Sequence, residues 1–322
     1  MKYVSLFAGI GGFDLALNRL GHKCVYANDF DEYCKIIYDK NFSSLQQVGE
    51  KDLSRRKNNL KQSGNTKHRT RMFGKNEPNL SGRRLDTTSI TEVNAKDIPD
   101  HDLLVGGFPC QAFSIAGKRR GFNDTRGTLF FDVARILKAK HPRLFILENV
   151  KGLLSHDNGR TFKIIISTLT ELGYDLQWQV LNSKNFGVPQ NRERVFIVGN
   201  LRGTPRPKVF PIRTDNQEIA EIRTENSKRC SRNSEGENRW PTERRKVSQS
   251  LDMNYWKGID NHKQRTLITT PKFRRLTPME CERLQGFPDN WTEGISDTQR
   301  YRQLGNAVTV NVVYEIAKRL EV

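Results

Sequence analysis

Apolar positions along the first two hundred residues switch between the spacing of strands and that of helices. Residues 2–7 form a short apolar run that predicts a strand, and a helix follows from about Gly12 to Leu20, stopped by Gly21. Residues 23–28 predict a second strand, and Glu32 to Lys40 a helix. Residues 101–105 are apolar and short. Between 128 and 140, Leu129, Phe130, Val133, Ile136 and Leu137 fall on one helical face. Residues 143–147 (Arg-Leu-Phe-Ile-Leu) predict a buried strand, 159–172 a helix ended by Gly173, and 194–198 a further apolar run. Strand and helix in alternation predict an α/β fold with a mostly parallel, doubly wound sheet covered on both faces.

Two stretches interrupt the pattern. Residues 49–86 carry many lysines and arginines with almost no apolar periodicity, which predicts a flexible basic insertion on the surface. Residues 200–272 are polar, irregular and rich in arginine, asparagine and serine, too poor in apolar groups to build much core. From 274 the pattern returns, with a helix from Thr277 or Pro278 and another from Val310 to Arg319. The expected division is therefore 1–199 plus 296–322 as one large domain and 200–295 as a smaller, irregular one.

Composition sharpens this picture. The 322 residues are enough for one large core and a smaller unit, yet only 35% are apolar. Mean hydropathy is −0.69, so part of the chain must be poorly buried. Lysine and arginine number 54 against 36 acids, a net charge of +18. That suits a polyanionic partner, although a merely basic surface would look the same. No apolar run of about 18 residues is present, so no membrane span is expected. The first residues enter a strand without a signal-peptide core. The cysteines at 24, 34, 110, 230 and 281 are odd in number, scattered and without a CxxC pair. Neither a disulfide framework nor a metal site is expected, and a reducing cytoplasm fits.

Candidate chemistry gathers at the predicted strand ends. Phe7-Ala8-Gly9-Ile10-Gly11-Gly12 joins the first strand to the first helix; its glycines serve either a tight turn or the close approach of a ligand. Asp29, at the end of the second strand, suits a ribose hydroxyl or a helix cap. Gly106-Gly107-Phe108-Pro109-Cys110-Gln111 follows the strand at 101–105. A lone cysteine is usually a small buried hydrophobe, but glycine, proline and the nearby Lys118, Arg119 and Arg120 favour an exposed thiolate. Glu148-Asn149-Val150 sits past another strand, where the acid caps or catalyses. Arg192 and Arg194 flank Glu193 just before residues 195–198, as a surface ion pair or as groups that hold phosphate or a base carbonyl.

In order along the chain, FAGIGG (7–12), GGFPCQAFS (106–114), ENV (148–150), NFGVPQNRERVF (185–196), RRLTPMECERLQGFPD (274–289) and QLGNAV (303–308) resemble the blocks of the DNA cytosine carbon-5 methyltransferases of bacterial restriction–modification systems, in particular their small members. The resemblance spans nearly the whole chain. It implies a Rossmann-like fold that binds S-adenosylmethionine, with 200–295 as a target-recognition domain for double-stranded DNA. It further implies a monomer, with any cognate restriction endonuclease acting separately. Cys110 is then the nucleophile toward carbon-6 of cytosine, Glu148 the acid at N3 and the exocyclic amine, and Arg194 the partner of the base O2. Arg192 would lie beside it, nearer the DNA backbone. Phe7, Gly9, Ile10, Gly11, Asp29, Phe30, Ile90, Asn306 and Val308 are the implied cofactor contacts. Residues 111–127 are the implied loop that closes over a flipped cytosine, with Gln111 at its root and Ser114, Lys118 and Arg119 within it.

The chain departs from the family pattern at Ser89-Ile90, where members usually carry aspartate before isoleucine; Asp86 lies three residues away. The insertion 49–86 is also longer than expected, and either is an inert surface segment or follows DNA phosphates. An RNA methyltransferase with the same cysteine chemistry is the first competing reading, but its Cys-Phe-Thr signature is absent. The second is a DNA-binding protein without catalysis, which would be expected to lack Cys110 or Glu148, and both are present.

Overall fold

The computed structural model describes residues 1–43, 84–109, 129–213, 248–257, 267–269 and 273–320. Cys110, Gln111, Ser114, Lys118, Arg119 and most of the basic insertion lie outside the described residues.

The strands are β1 Lys2–Leu6, β2 Lys23–Asn28, β3 Leu103–Gly107, β4 Leu144–Val150, β5 Tyr174–Asn182, β6 Gln190–Asn191, β7 Glu193–Leu201, β8 Ser248–Gln249, β9 Leu267–Thr269 and β10 Phe273–Arg275. The helices are α1 Gly12–Arg19, α2 (residues 32–43), α3 Leu129–Lys140, α4 Arg160–Glu171, α5 Pro278–Gln285, α6 Asp297–Asn306 and α7 Val310–Ala317. The main sheet has six strands in the order β2-β1-β3-β4-β7-β5. Strands β1 to β4 run parallel, and β7 is inserted antiparallel between β4 and β5. Short pairs β9–β10 and β6–β8 lie outside it. The mostly parallel α/β fold expected from the sequence is the one observed.

The central strands are apolar on both faces because helices cover both. Along β4, Leu144 and Ile146 enter the core that contains Leu17 of α1 and Val313 of α7, whereas Phe145 and Leu147 enter the core of α3 and α4. Strand β1 divides likewise, with Tyr3 on the first face and Val4 and Leu6 on the second. A polar knot ties β1 to its helices. The buried Asp14 carboxylate accepts hydrogen bonds from Tyr3 (3.1 Å), Tyr38 (2.8 Å) and Ser5 (2.8 Å). Burial raises its pKa, and the three hydroxyls oppose that rise.

Among the α-helices and the strands of the main sheet, two elements were not anticipated. In β5, Tyr174, Leu176, Trp178 and Val180 alternate with Asp175, Gln177 and Gln179 at the period of a strand. The glutamine side chains act as substitutes for a further strand. Gln177 donates to Pro207 O (2.8 Å) and accepts from Val209 N (3.1 Å), while Gln179 donates to Ile212 O (3.1 Å) and accepts from Ile212 N (2.8 Å). Helix α6 is the second, almost devoid of apolar residues yet burying Tyr301, Gln303, Leu304 and Gly305.

Helix α5 begins where expected, because Thr277 and Glu280 form a reciprocal capping box ahead of Pro278. Leu276, Cys281, Leu284, Phe287 and Trp291 share one core with α1 and α7. The anchor of α5 is Glu282, fully buried, which accepts from Thr292 N (2.8 Å) and from the hydroxyl of Thr292, and pairs with Arg300 at 3.1 Å. Replacing Glu282 with alanine leaves that guanidinium only the exposed Asp297 at 3.5 Å and the Thr292 hydroxyl. The expected loss is about 3–5 kcal/mol of stability, read by urea unfolding; a midpoint within error of the parent would show that the pair contributes nothing net.

Candidate active site

Strand β1 has β2 on one side and β3 on the other, so the chain order reverses there. Ligands of open α/β sheets bind beyond the carboxyl ends of the strands at such a switch point. A cavity of about 420 Å³ opens there, within the ~300–1,000 Å³ usual for small-molecule sites. Phe7, Gly9, Ile10, Asp29, Phe30, Glu148, Arg192, Arg194, Asn306 and Val308 all line it. A second cavity of about 490 Å³ runs along α7 between Phe186, Ile212 and Arg319, and holds neither the glycine loop nor Glu148.

The loop after β1 owes its shape to glycine and to strain. Phe7 is left-handed at φ 53°, an unfavourable conformation for a bulky side chain. Gly9 (φ 56°) has nothing within 4 Å of where a Cβ would stand, leaving the backbone open toward the cavity. Gly11 (φ 84°) has the opposite reason for its identity, since a Cβ would come within 2.2 Å of the Phe42 ring. The loop is held from behind by Trp291, whose indole N–H donates to Ile10 O at 2.9 Å. It is held from the side by Asp29, whose carboxylate accepts from Gly9 N (2.9 Å) and Asp31 N (3.0 Å). Burial raises the Asp29 pKa, and these two N–H groups pull against it. Phe30 beside it is 66% exposed, a free aromatic face at the cavity edge.

At the other end, Glu148 leaves β4 and Arg194 leaves β7. Arg194 pairs in register with Val150, two residues along from Glu148, so both side chains emerge on one face as diagonal neighbours. Arg194 Nε lies 3.1 Å from Glu148 Oε1, with the side chains 18% and 13% exposed. Gly107 is the register partner of Glu148 on β3, and a Cβ there would stand 3.0 Å from Glu148 Oε2. Burial raises the Glu148 pKa above the ordinary carboxylate value, while the cations Arg194 and Arg192 pull it back. Glu148 therefore keeps its proton to higher pH than an ordinary glutamate, the direction an acid catalyst requires. Asn149, buried next to it, donates to Phe108 O at 2.9 Å and so holds the segment that leads through Pro109 to Cys110.

Four expectations fare differently. Gly11 does not line the cavity, because its α-carbon faces the Phe42 ring. Arg192 does not lie toward the DNA backbone: it is 2% exposed, and its guanidinium is spent on internal acceptors. Ile90 does not line the cavity but packs in the core with Val4, Leu6 and Phe108, because the segment after Asp86 turns its apolar side inward. Asp86 is not available in place of the acid missing at Ser89. Its carboxylate accepts from Tyr26 Oη (2.6 Å) and Thr88 N (3.0 Å), while Ser89 and Thr91 hydroxyls bond each other at 2.8 Å. The cavity also recruits residues that sequence reasoning passed over: Asp31, Cys34, Asn149, Met253, Arg302 and Gln303. Gln303 lies within a recognised block and Asn149 beside Glu148, so their positions carried a signal. Met253 sits in polar, irregular sequence and carried none.

Among the described residues no helix is long and apolar enough to cross a membrane. The chain is similar along its length to bacterial enzymes of one kind. It is 35% identical over 348 residues to the Type II methyltransferase M.HhaI of Haemophilus parahaemolyticus, covering 98% of this chain and 93% of that protein. It is 36% identical over 343 residues to the Type II methyltransferase M1.ScrFI of Lactococcus lactis subsp. cremoris, covering 99% and 77%. Its fold matches the crystal structure of the S. pombe Dnmt2 methyltransferase with a TM-score of 0.64 at 18% identity, over 99% of this chain and 98% of that one. The family model for C-5 cytosine-specific DNA methylase matches residues 1–63, 58–248 and 211–322. The chain belongs to the C-5 cytosine-specific DNA methylase family.

Proposed function

We propose that this DNA cytosine methyltransferase uses S-adenosylmethionine, acts on a cytosine extruded from double-stranded DNA, and attacks carbon-6 through Cys110. The observation that carries this reading is the meeting of two half-sites in one cavity: the glycine loop with Asp29, and the Glu148–Arg194 pair. The cofactor half fits its ligand. Gly9 leaves backbone open to the cavity, Asp29 presents a carboxylate suited to ribose hydroxyls, Phe30 offers an aromatic face for adenine, and Asn306 and Val308 close the wall. S-adenosylmethionine, when bound, supplies an electrophilic methyl group.

The chain's own groups make carbon-5 able to accept it. Aromatic cytosine is a poor carbon nucleophile, so the Cys110 thiolate adds to carbon-6 and opens the ring's conjugation. The displaced electron pair moves toward N3, where Glu148 donates its proton. Arg194 holds the base O2 and keeps the carboxylate in place. Carbon-5, now enamine-like, takes the methyl group. Loss of the carbon-5 proton to a base, with return of the N3 proton to Glu148, then expels Cys110 as thiolate and restores the aromatic ring. Extrusion of the base, at a few kcal/mol of lost stacking, is needed because the duplex shields carbon-5 and carbon-6. Residues 111–127 are assigned the closing loop, and 200–295 the reading of DNA sequence. The chain acts as a monomer in the cytoplasm, as the methylase of a restriction–modification system whose endonuclease is a separate protein.

Bisulfite sequencing of unmethylated plasmid after incubation with the protein and S-adenosylmethionine tests this. The expected product carries protected cytosines in one short recurring context. Unprotected plasmid together with demonstrated cofactor binding would transfer the substrate assignment to RNA.

A further inference from the structure

We infer that Arg192 is a positioning residue for the cofactor wall, clamping the turn between α6 and α7 rather than touching DNA. This rests on the reading that the cavity takes S-adenosylmethionine. The guanidinium carries five N–H donors. Both terminal nitrogens bond inward: one reaches Leu251 O (2.8 Å) and Ser250 Oγ (3.3 Å), the other Gly305 O (2.9 Å) and Ala307 O (2.8 Å). Nε is buried without a partner, so nothing remains to reach a phosphate. Burial and the neighbouring Arg194 cation push its pKa down to about 9, which still leaves it charged at neutral pH.

The acceptors explain why a cation belongs there. Gly305 O lies in the last turn of α6 and Ala307 O just beyond it, where helix carbonyls lack partners and the dipole favours positive charge. Between and beyond them stand Asn306 and Val308, which line the cavity. On the same turn, Gln285 donates to Leu304 O at 2.7 Å. Gly305 itself admits no side chain, since a Cβ would meet Asp252 C at 2.4 Å. Arg192 thereby locks three parts together: the strand that carries Arg194, residues 250–251, and the turn that walls the cofactor site. Charge-assisted bonds to four acceptors are what hold a buried cation without a bonded carboxylate.

The test compares Arg192→Lys and Gln285→Met with the parent chain, using S-adenosylhomocysteine titrated calorimetrically without DNA, and DNA affinity measured against salt. A lysine cannot reach all four acceptors, and methionine cannot bond the turn. Cofactor-site affinity is expected to fall roughly tenfold in both, with the salt slope of DNA binding unchanged. A phosphate contact predicts the reverse for Arg192→Lys, a slope smaller by about one at unchanged S-adenosylhomocysteine affinity, and that result overturns the inference. Unchanged affinity in both variants overturns it as well. Should Arg192→Lys fail to fold, Gln285→Met decides on the same criterion. Failure of the parent chain to bind S-adenosylhomocysteine overturns both this inference and the functional reading, whereas binding that the variants leave intact counts against the inference alone.

Discussion

Replacing Cys110 with alanine is expected to abolish methyl transfer, a fall of about 10⁶-fold, the order that loss of a covalent nucleophile costs. S-adenosylhomocysteine and DNA affinities should be unchanged, since the thiol is small and its task is chemical. The structure supplies the reason to expect a clean separation. The segment that delivers Cys110 is set by groups that do not include it: Asn149 holds Phe108 O, and Phe108 packs on Phe130 with ring centroids 5.5 Å apart. Tritiated methyl incorporation measures the loss, and a gel shift measures DNA binding. A covalent trap adds a direct reading. With 5-fluorocytosine in the target, the last step cannot occur because fluorine does not leave as a cation, so the parent chain should form a denaturant-stable adduct and the alanine variant none. Transfer at the parent rate by the variant would sink the covalent mechanism.

Glu148→Gln should cost about 10²–10⁴ in kcat, the usual contribution of a positioned general acid. The amide keeps shape and hydrogen-bonding length but has no proton to deliver to N3. Burial raises the Glu148 pKa, so its acid form persists to higher pH than an ordinary glutamate's, and kcat should decline as pH rises through that value. This alkaline decline should be missing from the residual activity of the variant. Stability follows the same pH direction. A carboxyl with a folded pKa above its unfolded value stabilises most in acid, and that contribution is lost as pH climbs from about 4.5 through the raised value. The parent's melting temperature should therefore fall relative to the glutamine variant's as pH rises through the raised value. A kcat–pH profile unchanged in shape would remove Glu148 as the acid.

Both predictions come from residues visible as motifs, and the distribution of visible and hidden features has a physical cause. Strands β1, β3 and β4 are short apolar runs because each is buried on both faces, and that burial is written directly into composition. Helix α3 announces itself by Leu129, Phe130, Val133 and Ile136, and α5 by its capping box, since a stripe and a cap are local patterns. Strand β5 escaped notice although Tyr174 to Val180 alternate at period two, because three polar members disguise an edge strand, two of them glutamines whose side chains bond residues 207–212.

By itself the sequence determined the mostly parallel α/β class, the order of the elements around the cavity, and the identities of Glu148, Arg194, Asp29 and the glycine loop. The class follows from local periodicity; the residues stood out by type at strand ends, where a turn, a cap or an ion pair would read the same, and their roles came from the resemblance carried by the ordered blocks. Only the tertiary structure decided how Arg192 and Arg194, two residues apart on one segment, divide their work. Both are cations in one motif, and no local pattern tells which one meets a carboxylate and which meets carbonyls. That depends on neighbours brought from residues 250–251 and 305–307, more than fifty and a hundred positions away. The same holds for Asp86, committed to Tyr26 across sixty residues, and for Met253 at the cavity. Long-range partners set these roles because a side chain's electrostatics and exposure belong to the space around it, and the chain's order states only where along the backbone it begins.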